Sequence, residues 1–363
     1  MIAAVLAYDA PSSLAFWAAW TTFAGLMSAA ATYGVIRFAE AYGVMDIPNA
    51  RSSHHRPTPR GGGIAIVLVG VAGVAALAVA GITPPIYGEW IVLGSLGIAA
   101  VSSLDDVFTI SPKLRLAIQS VAALVAVMAL GPIQRMVLGP IGTLDFGPEG
   151  WVLTMLWIVG MTNAFNFMDG IDGIAGVTAA IALAVIAIGL LFSGEVFAAL
   201  VAAAIGAASA GFLVWNWQPA RIFMGDVGSA FLGYTIAVLP LTANPEARAW
   251  LVPLTVFVMW PFLFDATYTI VRRVAKRENI FEAHRSHLYQ RLVIVGWSHR
   301  VVTALYGGLS AIAGAAALAA FTIPEWSSNS MIVVAAGAMA FGAVALILLV
   351  HGAEAKALCR VSP

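Results

Sequence analysis

Polar side chains that could do chemistry gather in five short segments of this sequence, each beside an apolar run. One segment is the adjacent pair Asp105-Asp106. Neighbouring carboxylates repel each other unless a divalent cation or a shared proton relieves the repulsion. Hard oxygen ligands with positions left for water and phosphate describe a Mg²⁺ site. The alternative is a pair of solvated carboxylates at a helix start, and the pair alone does not decide between the two.

A second segment repeats a polar residue at every third position. Its members are Asn163, Asn166, Asp169 and Asp172. Successive pairs share a helix face, but all four cannot face one way, because steps of three residues drift around a helix. We expect Gly170 and Gly173 to end the helix and turn the aspartates back toward a site. The alternative is a glycine-capped helix end, although polar groups beside an apolar span are costly unless they bind something.

A third segment, residues 46–63, contains cations, histidines and three consecutive glycines. Its candidate substrate-binding residues are Asn49, Arg51, His54, Arg56 and Arg60. Prolines forbid a continuous helix here, and the glycines let backbone approach a ligand closely. This composition suits a polyphosphate. A basic loop that binds anionic lipid headgroups is the alternative.

The fourth segment runs from Asn216 through Phe223 to Ser229. Gly225 and Gly228 flank Asp226, and Ser229 opens the next apolar run. The free N–H groups of a helix N-terminus bind anions, and Asp226 at this point could hold a metal on a phosphate.

The fifth segment contains His284, Arg285, His287 and Arg291. Because His284, His287 and Arg291 stand at i, i+3 and i+7, we predict that they share one face of a helix. Two histidines could bind zinc, but no third ligand is evident and the arginines would repel a cation. Phosphate is the better ligand, and a lipid-binding basic segment is the alternative. Asp265, about two helical turns before Arg272, is expected to pair with an arginine.

Composition places these segments in a membrane protein. Apolar residues make up 61% of the 363 residues and charged residues 10%, whereas soluble domains average about 25% charged residues. The net charge is zero, so no basic field indicates nucleic acid as a partner. The apolar runs are continuous rather than alternating, which favours an all-α polytopic protein over a barrel. We treat residues 1–363 as one integral membrane domain.

About eleven runs are long enough to be membrane-spanning helices. They are residues 14–38, 63–81, 89–104, 113–130, 151–168, 174–193, 196–214, 228–240, 250–271, 300–322 and 330–351. Of the 18 Lys and Arg residues, all but Arg135 and Arg248 then fall on one side. The positive-inside rule makes that side cytoplasmic and puts the N-terminus in the periplasm. The five segments lie on the cytoplasmic side, and residues 139–147 on the other side form a predicted hairpin.

Taken together, the five segments resemble the polyprenyl-phosphate N-acetylhexosamine-1-phosphate transferases, also called bacterial glycosyl transferase family 4. The matching stretches are Asp46…Pro59-Arg60-Gly-Gly, Asp105-Asp106, Asn163–Gly173, Phe223-Met-Gly-Asp226-Val-Gly-Ser229 and His284-Arg-Ser-His287. They occur in the family's order and cover about residues 40–300. The resemblance implies ten or eleven helices around a cytoplasmic cleft in a bacterial inner membrane.

The resemblance also implies an activity and its partners. The family transfers a sugar 1-phosphate from a UDP-N-acetyl sugar to undecaprenyl phosphate within the membrane lipid and releases UMP. It implies Mg²⁺ as cofactor, with Mn²⁺ as a substitute, and a homodimer by family habit. Whether the lipid phosphate attacks directly or an aspartate is phosphorylated first stays open.

Carried over to the matching positions, the resemblance assigns roles to individual residues. Asp226 would bind the metal with Asn166 beside it, while Asp105 and Asp106 would deprotonate or orient the lipid phosphate. Phe223 would lie against the uracil. The nucleotide pocket and other substrate contacts would come from Asn49, Arg51, His54, Arg56, Arg60, Asn163, Asp169, Asp172 and Asn216. The diphosphate or sugar end would be gripped by His284, Arg285 and His287.

One departure from the family pattern indicates a branch. The branch that makes the peptidoglycan lipid precursor has three consecutive histidines, where this chain has His284-Arg-Ser-His287. This is similar to the simple amino-sugar branch, which starts O-antigen and similar cell-surface polymers. The stretch Glu282–Gln290 is similar to that of transferases using dideoxy amino sugars such as N-acetylfucosamine. The alternative function is a transporter or flippase of lipid-linked or anionic solutes, which would place ionisable groups at mid-span.

Overall fold

The computed structural model of the protein describes residues 13–48, 56–82, 94–100, 102, 111–138, 142–279, 282, 284–322 and 330–361. Helices dominate the described residues. They are α1 (Leu14–Tyr42), α2 (Gly63–Val79), α3 (Pro112–Leu130), α4 (Glu149–Phe167), α5 (Ile174–Phe192), α6 (Val196–Asn216), α7 (Asp226–Val238), α8 (Pro245–Ala275), α9 (Leu288–Ile294), α10 (His299–Thr322) and α11 (Ser330–Val361). Residues 94–100 are also helical, and a 3₁₀ turn, Leu239–Thr242, follows α7.

The helical, membrane-spanning architecture predicted from the sequence is confirmed. Each predicted span overlaps a helix of the described residues. Seven helices in these ranges are long and apolar enough to cross a membrane by length and composition, namely α1, α3, α5, α6, α8, α10 and residues 333–358 of α11. The apolar helices α2 and α7 are shorter. The number of eleven spans therefore stays a prediction.

Helix starts follow local capping rules. Ser111 caps α3 by accepting the Leu114 N–H at 3.3 Å, with Pro112 at the first position of the helix. Asn244 caps α8 in the same way through the Ala247 N–H at 2.9 Å. Each side chain satisfies an N–H that has no partner within the helix, and a proline at the first position costs no hydrogen bond.

The helices α5, α6 and α8 form the buried centre, whereas α1 and α11 lie at the periphery. Small residues allow helices to approach closely within this centre and between the centre and α1. A β-carbon on Gly211 of α6 would overlap the backbone of Gly25 in α1, and one on Gly206 would lie 3.1 Å from the β-carbon of Leu183 in α5. Close backbone approach through small residues is how helices associate where lipid supplies no hydrophobic drive.

Two small antiparallel pairings lie at opposite ends of the bundle. Strand β1 (Met45–Asp46) pairs with β2 (Thr58–Pro59), and β3 (Arg135–Val137) pairs with β4 (Thr143–Asp145). The second pair connects the C-terminus of α3 to the N-terminus of α4, and an ion pair between Arg135 and Asp145 joins its strands at 2.8 Å. The chain thus forms an antiparallel pair close to the hairpin predicted at residues 139–147, but the first strand lies wholly before that range.

Candidate active site

The carboxylate of Asp226 is the point at which four elements meet. Arg60, Arg115 of α3 and Asn166 of α4 each place a side-chain nitrogen 3.4 Å from one of its oxygens. Asp226 is the first residue of α7, and its side chain is 30% exposed. Three polar segments predicted from the sequence therefore converge on one accessible carboxylate. The contribution of Arg115 was not predicted.

Backbone hydrogen bonds hold the loop of Arg60 against the loop of Phe223. The Phe223 N–H donates to the Pro59 carbonyl, and the Gly62 N–H donates to the Phe223 carbonyl, each at 2.9 Å. The Gly63 N–H completes the set on the Met224 carbonyl at 2.9 Å. Phe223 itself is half-buried. The backbone around the glycine run thus aligns the loop of Arg60 with the loop of Phe223. This alignment brings Arg60 to Asp226.

The two asparagines of α4 have different partners. The Asn166 amide donates to the Ser229 hydroxyl at 2.8 Å as well as facing Asp226. The Asn163 amide donates to the Gln119 side chain at 2.6 Å and to the Val159 carbonyl at 2.8 Å. Asn166 therefore belongs to the Asp226 site, whereas Asn163 links α4 to α3.

Asp172 and Asn216 join the turn between α4 and α5 to the loop between α6 and α7. Asp172 accepts the Ala220 N–H at 3.1 Å, and its carboxylate lies 3.3 Å from the Nδ1 of His299. Asn216 accepts the Gly173 N–H at 2.9 Å and donates to the Ile222 carbonyl at 2.8 Å. Both side chains are buried. Sequence reasoning missed His299, whose only signal was its position at the start of an apolar run.

The turn after α4 differs in detail from the prediction. The helix ends at Phe167, before either glycine. Gly173 has a φ of +79° and precedes α5, so it shapes the turn as expected. Gly170 has a different role, because a β-carbon there would overlap the Tyr289 hydroxyl. That hydroxyl donates to the Phe167 carbonyl at 3.2 Å and so joins the fifth segment to the turn.

The fifth segment is not arranged as the sequence predicted. The helix α9 begins at Leu288, so His284 and His287 precede it and do not share a helix face with Arg291. The prediction was wrong because i, i+3 and i+7 spacing fits a helix only where the backbone is helical throughout. Arg291 instead forms a bidentate ion pair with Glu354 of α11, with contacts of 2.7 and 2.6 Å.

The predicted pairing of Asp265 with an arginine was also wrong. Its carboxylate contacts the His287 Nδ1 at 3.2 Å. Arg272 donates to the Ser286 carbonyl at 3.5 Å, and Arg273 forms an ion pair with Glu278 at 3.0 Å. The arginines at the end of α8 thus have partners in the loop that follows them.

The charges of Asp169 and Arg285 both influence the ionisation of Tyr289. Burial, reinforced by the carboxylates of Asp265 and Asp169, raises the pKa of Tyr289 well above its usual value, and Arg285 opposes this shift. Burial, together with the neighbouring His287 and Arg273, lowers the pKa of His284 to about 4. At neutral pH His284 is therefore an uncharged group, and its Nδ1 lies 2.9 Å from the Ser286 hydroxyl.

Several predicted site residues fall outside this description. Asp105, Asp106, Asn49, Arg51 and His54 lie outside the described residues. Arg56 is exposed, and its carbonyl accepts the Thr58 hydroxyl at 3.0 Å.

The residues around Asp226 fit a magnesium ion. In the described ranges, no group of three or more His, Cys, Asp or Glu residues converges on one point. Mg²⁺ does not need such a cage, because proteins usually bind it through one or two carboxylates and leave the other positions to water and substrate phosphates. The Asp226 carboxylate is such a group, the Ser229 hydroxyl adds an oxygen nearby, and the Asn166 amide contacts both through its nitrogen. Arg60 and Arg115 beside them match phosphate rather than a second metal.

The fold and this site define a polytopic membrane protein whose polar groups meet where helix ends gather at one end of a bundle. Residues 90–244 match the model of glycosyl transferase family 4. The chain is 34% identical over 269 residues to the probable undecaprenyl-phosphate N-acetylglucosaminyl 1-phosphate transferase of Bacillus subtilis, covering 74% of each chain. The chain therefore belongs to glycosyl transferase family 4, as the five segments predicted.

Two further relatives span more of the chain. The decaprenyl-phosphate N-acetylglucosaminephosphotransferase of Mycobacterium tuberculosis is 31% identical over 358 residues, which is 89% of this chain and 87% of that one. The undecaprenyl-phosphate alpha-N-acetylglucosaminyl 1-phosphate transferase of Escherichia coli is 30% identical over 309 residues, covering 80% and 81%. The similarity therefore covers most of the length of each protein.

Proposed function

We propose that this protein transfers an N-acetyl-amino-sugar 1-phosphate from a UDP-sugar to undecaprenyl phosphate and releases UMP. The observation that carries the proposal is the convergence of Arg60, Arg115 and Asn166 on Asp226. The names of the relatives supply the lipid acceptor and the sugar phosphate.

The reaction joins two anionic phosphates. An oxygen of the lipid phosphate forms a bond to the sugar-bearing phosphorus of the donor, and the bond from that phosphorus to the oxygen of UMP breaks. Phosphoryl transfer requires little covalent work from the protein, because positioning and charge neutralisation lower most of the barrier. The net exchange of bonds is the same whether the lipid phosphate attacks directly or an aspartate is phosphorylated first.

The charges around Asp226 suit this task. Asp226 and Asn166 would hold Mg²⁺, or Mn²⁺ in its place, which neutralises the diphosphate when it is bound. Arg60 and Arg115 approach Asp226 from two other elements and would bind phosphate oxygens there. His284, uncharged at neutral pH, would donate or accept a hydrogen bond at the sugar or diphosphate without adding charge.

We further propose where the site lies in the membrane and which sugar it takes. We place the site on the cytoplasmic face of a bacterial inner membrane, because nearly all cations lie on its side. N-acetylglucosamine is the first candidate sugar, since the relatives named above use it. The product would start an O-antigen or a similar cell-surface polymer, and a homodimer is part of this proposal.

The test is UMP release by purified protein in detergent with undecaprenyl phosphate and Mg²⁺. A panel of UDP-N-acetyl sugars, including glucosamine and fucosamine derivatives, names the donor. Release is expected to need both the lipid and the metal, and to stop with EDTA. Binding of UDP-sugar without UMP release from any donor would contradict the proposal and favour a transporter.

A further inference from the structure

The carboxylate of Asp265 accepts hydrogen bonds from five different groups. Asp265 lies in α8 and its side chain is 0% exposed. Its Oδ1 contacts the His287 Nδ1 at 3.2 Å, the Leu288 N–H at 2.8 Å and the Thr269 hydroxyl at 3.1 Å. Its Oδ2 accepts the Tyr289 N–H at 3.1 Å and the Tyr306 hydroxyl at 2.6 Å. No arginine is needed to satisfy this buried group.

The donors come from two directions. His287, Leu288 and Tyr289 are consecutive residues at the start of α9, in the segment that carries the candidate catalytic histidines. Thr269 lies one turn further along α8, and Tyr306 lies in α10. Thr269 and Tyr306 thus fix the carboxylate within the helix bundle, and the carboxylate in turn binds the start of α9.

This arrangement determines the protonation of one ring nitrogen. A carboxylate only accepts hydrogen bonds, so the Nδ1 of His287 must carry a proton to make this contact. In a neutral imidazole the Nε2 is then the nitrogen that accepts. The alternative tautomer would place two acceptors 3.2 Å apart in a buried site.

We infer that Asp265 is a positioning residue, which anchors the start of α9 and fixes the tautomer and orientation of His287 for phosphate or sugar recognition. The inference rests on the proposed function only in that His287 is taken to bind the substrate. Asp265 acts through His287, because its own side chain is wholly buried whereas that of His287 keeps 4% of its surface exposed.

The other end of α9 is fastened independently. Arg291 forms its bidentate pair with Glu354 of α11 there. The rings of His284 and Tyr289 flank that of His287, with centroids 5.1 and 5.8 Å away. Within this arrangement, Asp265 supplies the contact that discriminates between the two ring nitrogens of His287.

A spectroscopic test reads the tautomer directly. Nitrogen NMR of protein carrying ¹⁵N-labelled histidine, with His287 assigned by comparison with His287→Gln, should show a proton on Nδ1. In Asp265→Asn the amide N–H₂ can donate to Nδ1, and the proton is expected to move to Nε2, as in a catalytic triad whose aspartate is replaced by asparagine. The matched control is Thr269→Val, which removes a donor to the same oxygen and should leave the His287 signal unchanged.

A kinetic cycle tests whether the two residues act together. Asp265→Asn should lower kcat at least tenfold in the wild-type background but less than threefold in the His287→Gln background, since coupled residues are not additive. Equal losses in the two backgrounds would overturn the inference. If Asp265→Asn does not fold, a wild-type His287 with its proton on Nε2 alone would overturn it as well.

The two proposals fail in different ways. Full activity of His287→Gln would remove His287 from the proposed function, while the NMR signal would still decide whether Asp265 fixes its tautomer. Absence of any UMP release in the wild type would contradict the activity without changing the spectrum.

Discussion

Gly63 and Gly228 lie backbone against backbone where α2 and α7 begin. A β-carbon on Gly228 would lie 2.6 Å from the Cα of Gly63, and one on Gly63 would overlap the Cα of Gly228. The contact lies three residues after Arg60 and two residues after Asp226. We therefore expect the distance between Arg60 and Asp226 to depend on the absence of a side chain at both Gly63 and Gly228.

Gly63→Ala is expected to lower both stability and activity. A methyl group has no room against the backbone of α7, so the helix starts must separate, at a cost of about 1–3 kcal/mol in the free energy of unfolding. Thermal unfolding in detergent and UMP release measure the two effects. Gly160→Ala in α4 is the matched control, since among the described residues no atom beyond its own helix turns lies within 4 Å of the position that a β-carbon would take. Equal behaviour of the two variants would show that the contact does not matter.

Asp226→Asn is expected to abolish turnover at any Mg²⁺ concentration while the protein stays folded. The amide keeps the shape of the side chain but loses the charge that faces Arg60 and Arg115 and that we propose binds the metal. Asp145→Asn also breaks a pair with an arginine, but at the other end of the bundle, and should retain wild-type activity. UMP release across a Mg²⁺ titration is the measurement. Activity recovered at high Mg²⁺ would mean that Asp226 tunes metal affinity without being essential.

Glu354→Gln is expected to destabilise the protein by about 1–3 kcal/mol, because it leaves the nearly buried Arg291 guanidinium with a weaker partner. Glu40→Gln is the matched control. Its pair with Arg37 spans 3.6 Å between exposed side chains, and such pairs contribute little. Denaturant or thermal unfolding compares the two. A loss no greater than that of the control would rule out α11 as a brace for α9.

The free energy of unfolding should rise with pH in the acid range because of His284. Burial, His287, Arg273 and Arg272 disfavour its protonated form, while Glu278 opposes them, and the folded-state pKa is about 4. Between this value and the unfolded pKa of about 6.5, the unfolded chain binds a proton that the folded protein does not. Stability therefore increases across this window and is constant above it. Unfolding curves of His284→Gln should be flatter from pH 4 to 6.5, and an unchanged slope would contradict the assignment.

Sequence patterns predicted the architecture because they depend on composition and local periodicity. The apolar runs indicated helices, and each one overlaps a helix in the described residues. The polar segments indicated where chemistry gathers, and Asp226, Asn166 and Arg60 lie together as the motifs implied. Whether Asp105 and Asp106 join them stays a prediction.

The fifth segment shows where local patterns mislead. The spacing of His284, His287 and Arg291 fitted a helix, but the chain turns before Leu288 because a buried carboxylate captures the N–H groups there. That carboxylate lies 22 residues earlier than His287. Helical periodicity describes the neighbours within one element and contains no information about a competing partner from another.

Two kinds of information thus define this protein. The sequence alone determined that the chain spans a membrane and that its polar motifs belong to one family of transferases, and it predicts that 16 of its 18 cations lie on one side. Only the tertiary structure decided which distant residues meet, such as Arg115 with Asp226 across 111 positions or Asp172 with His299 across 127. Composition and local patterns can be read without knowing which helices are neighbours. These contacts, in contrast, depend on how the helices pack through their glycines, and packing is a property of the assembled bundle.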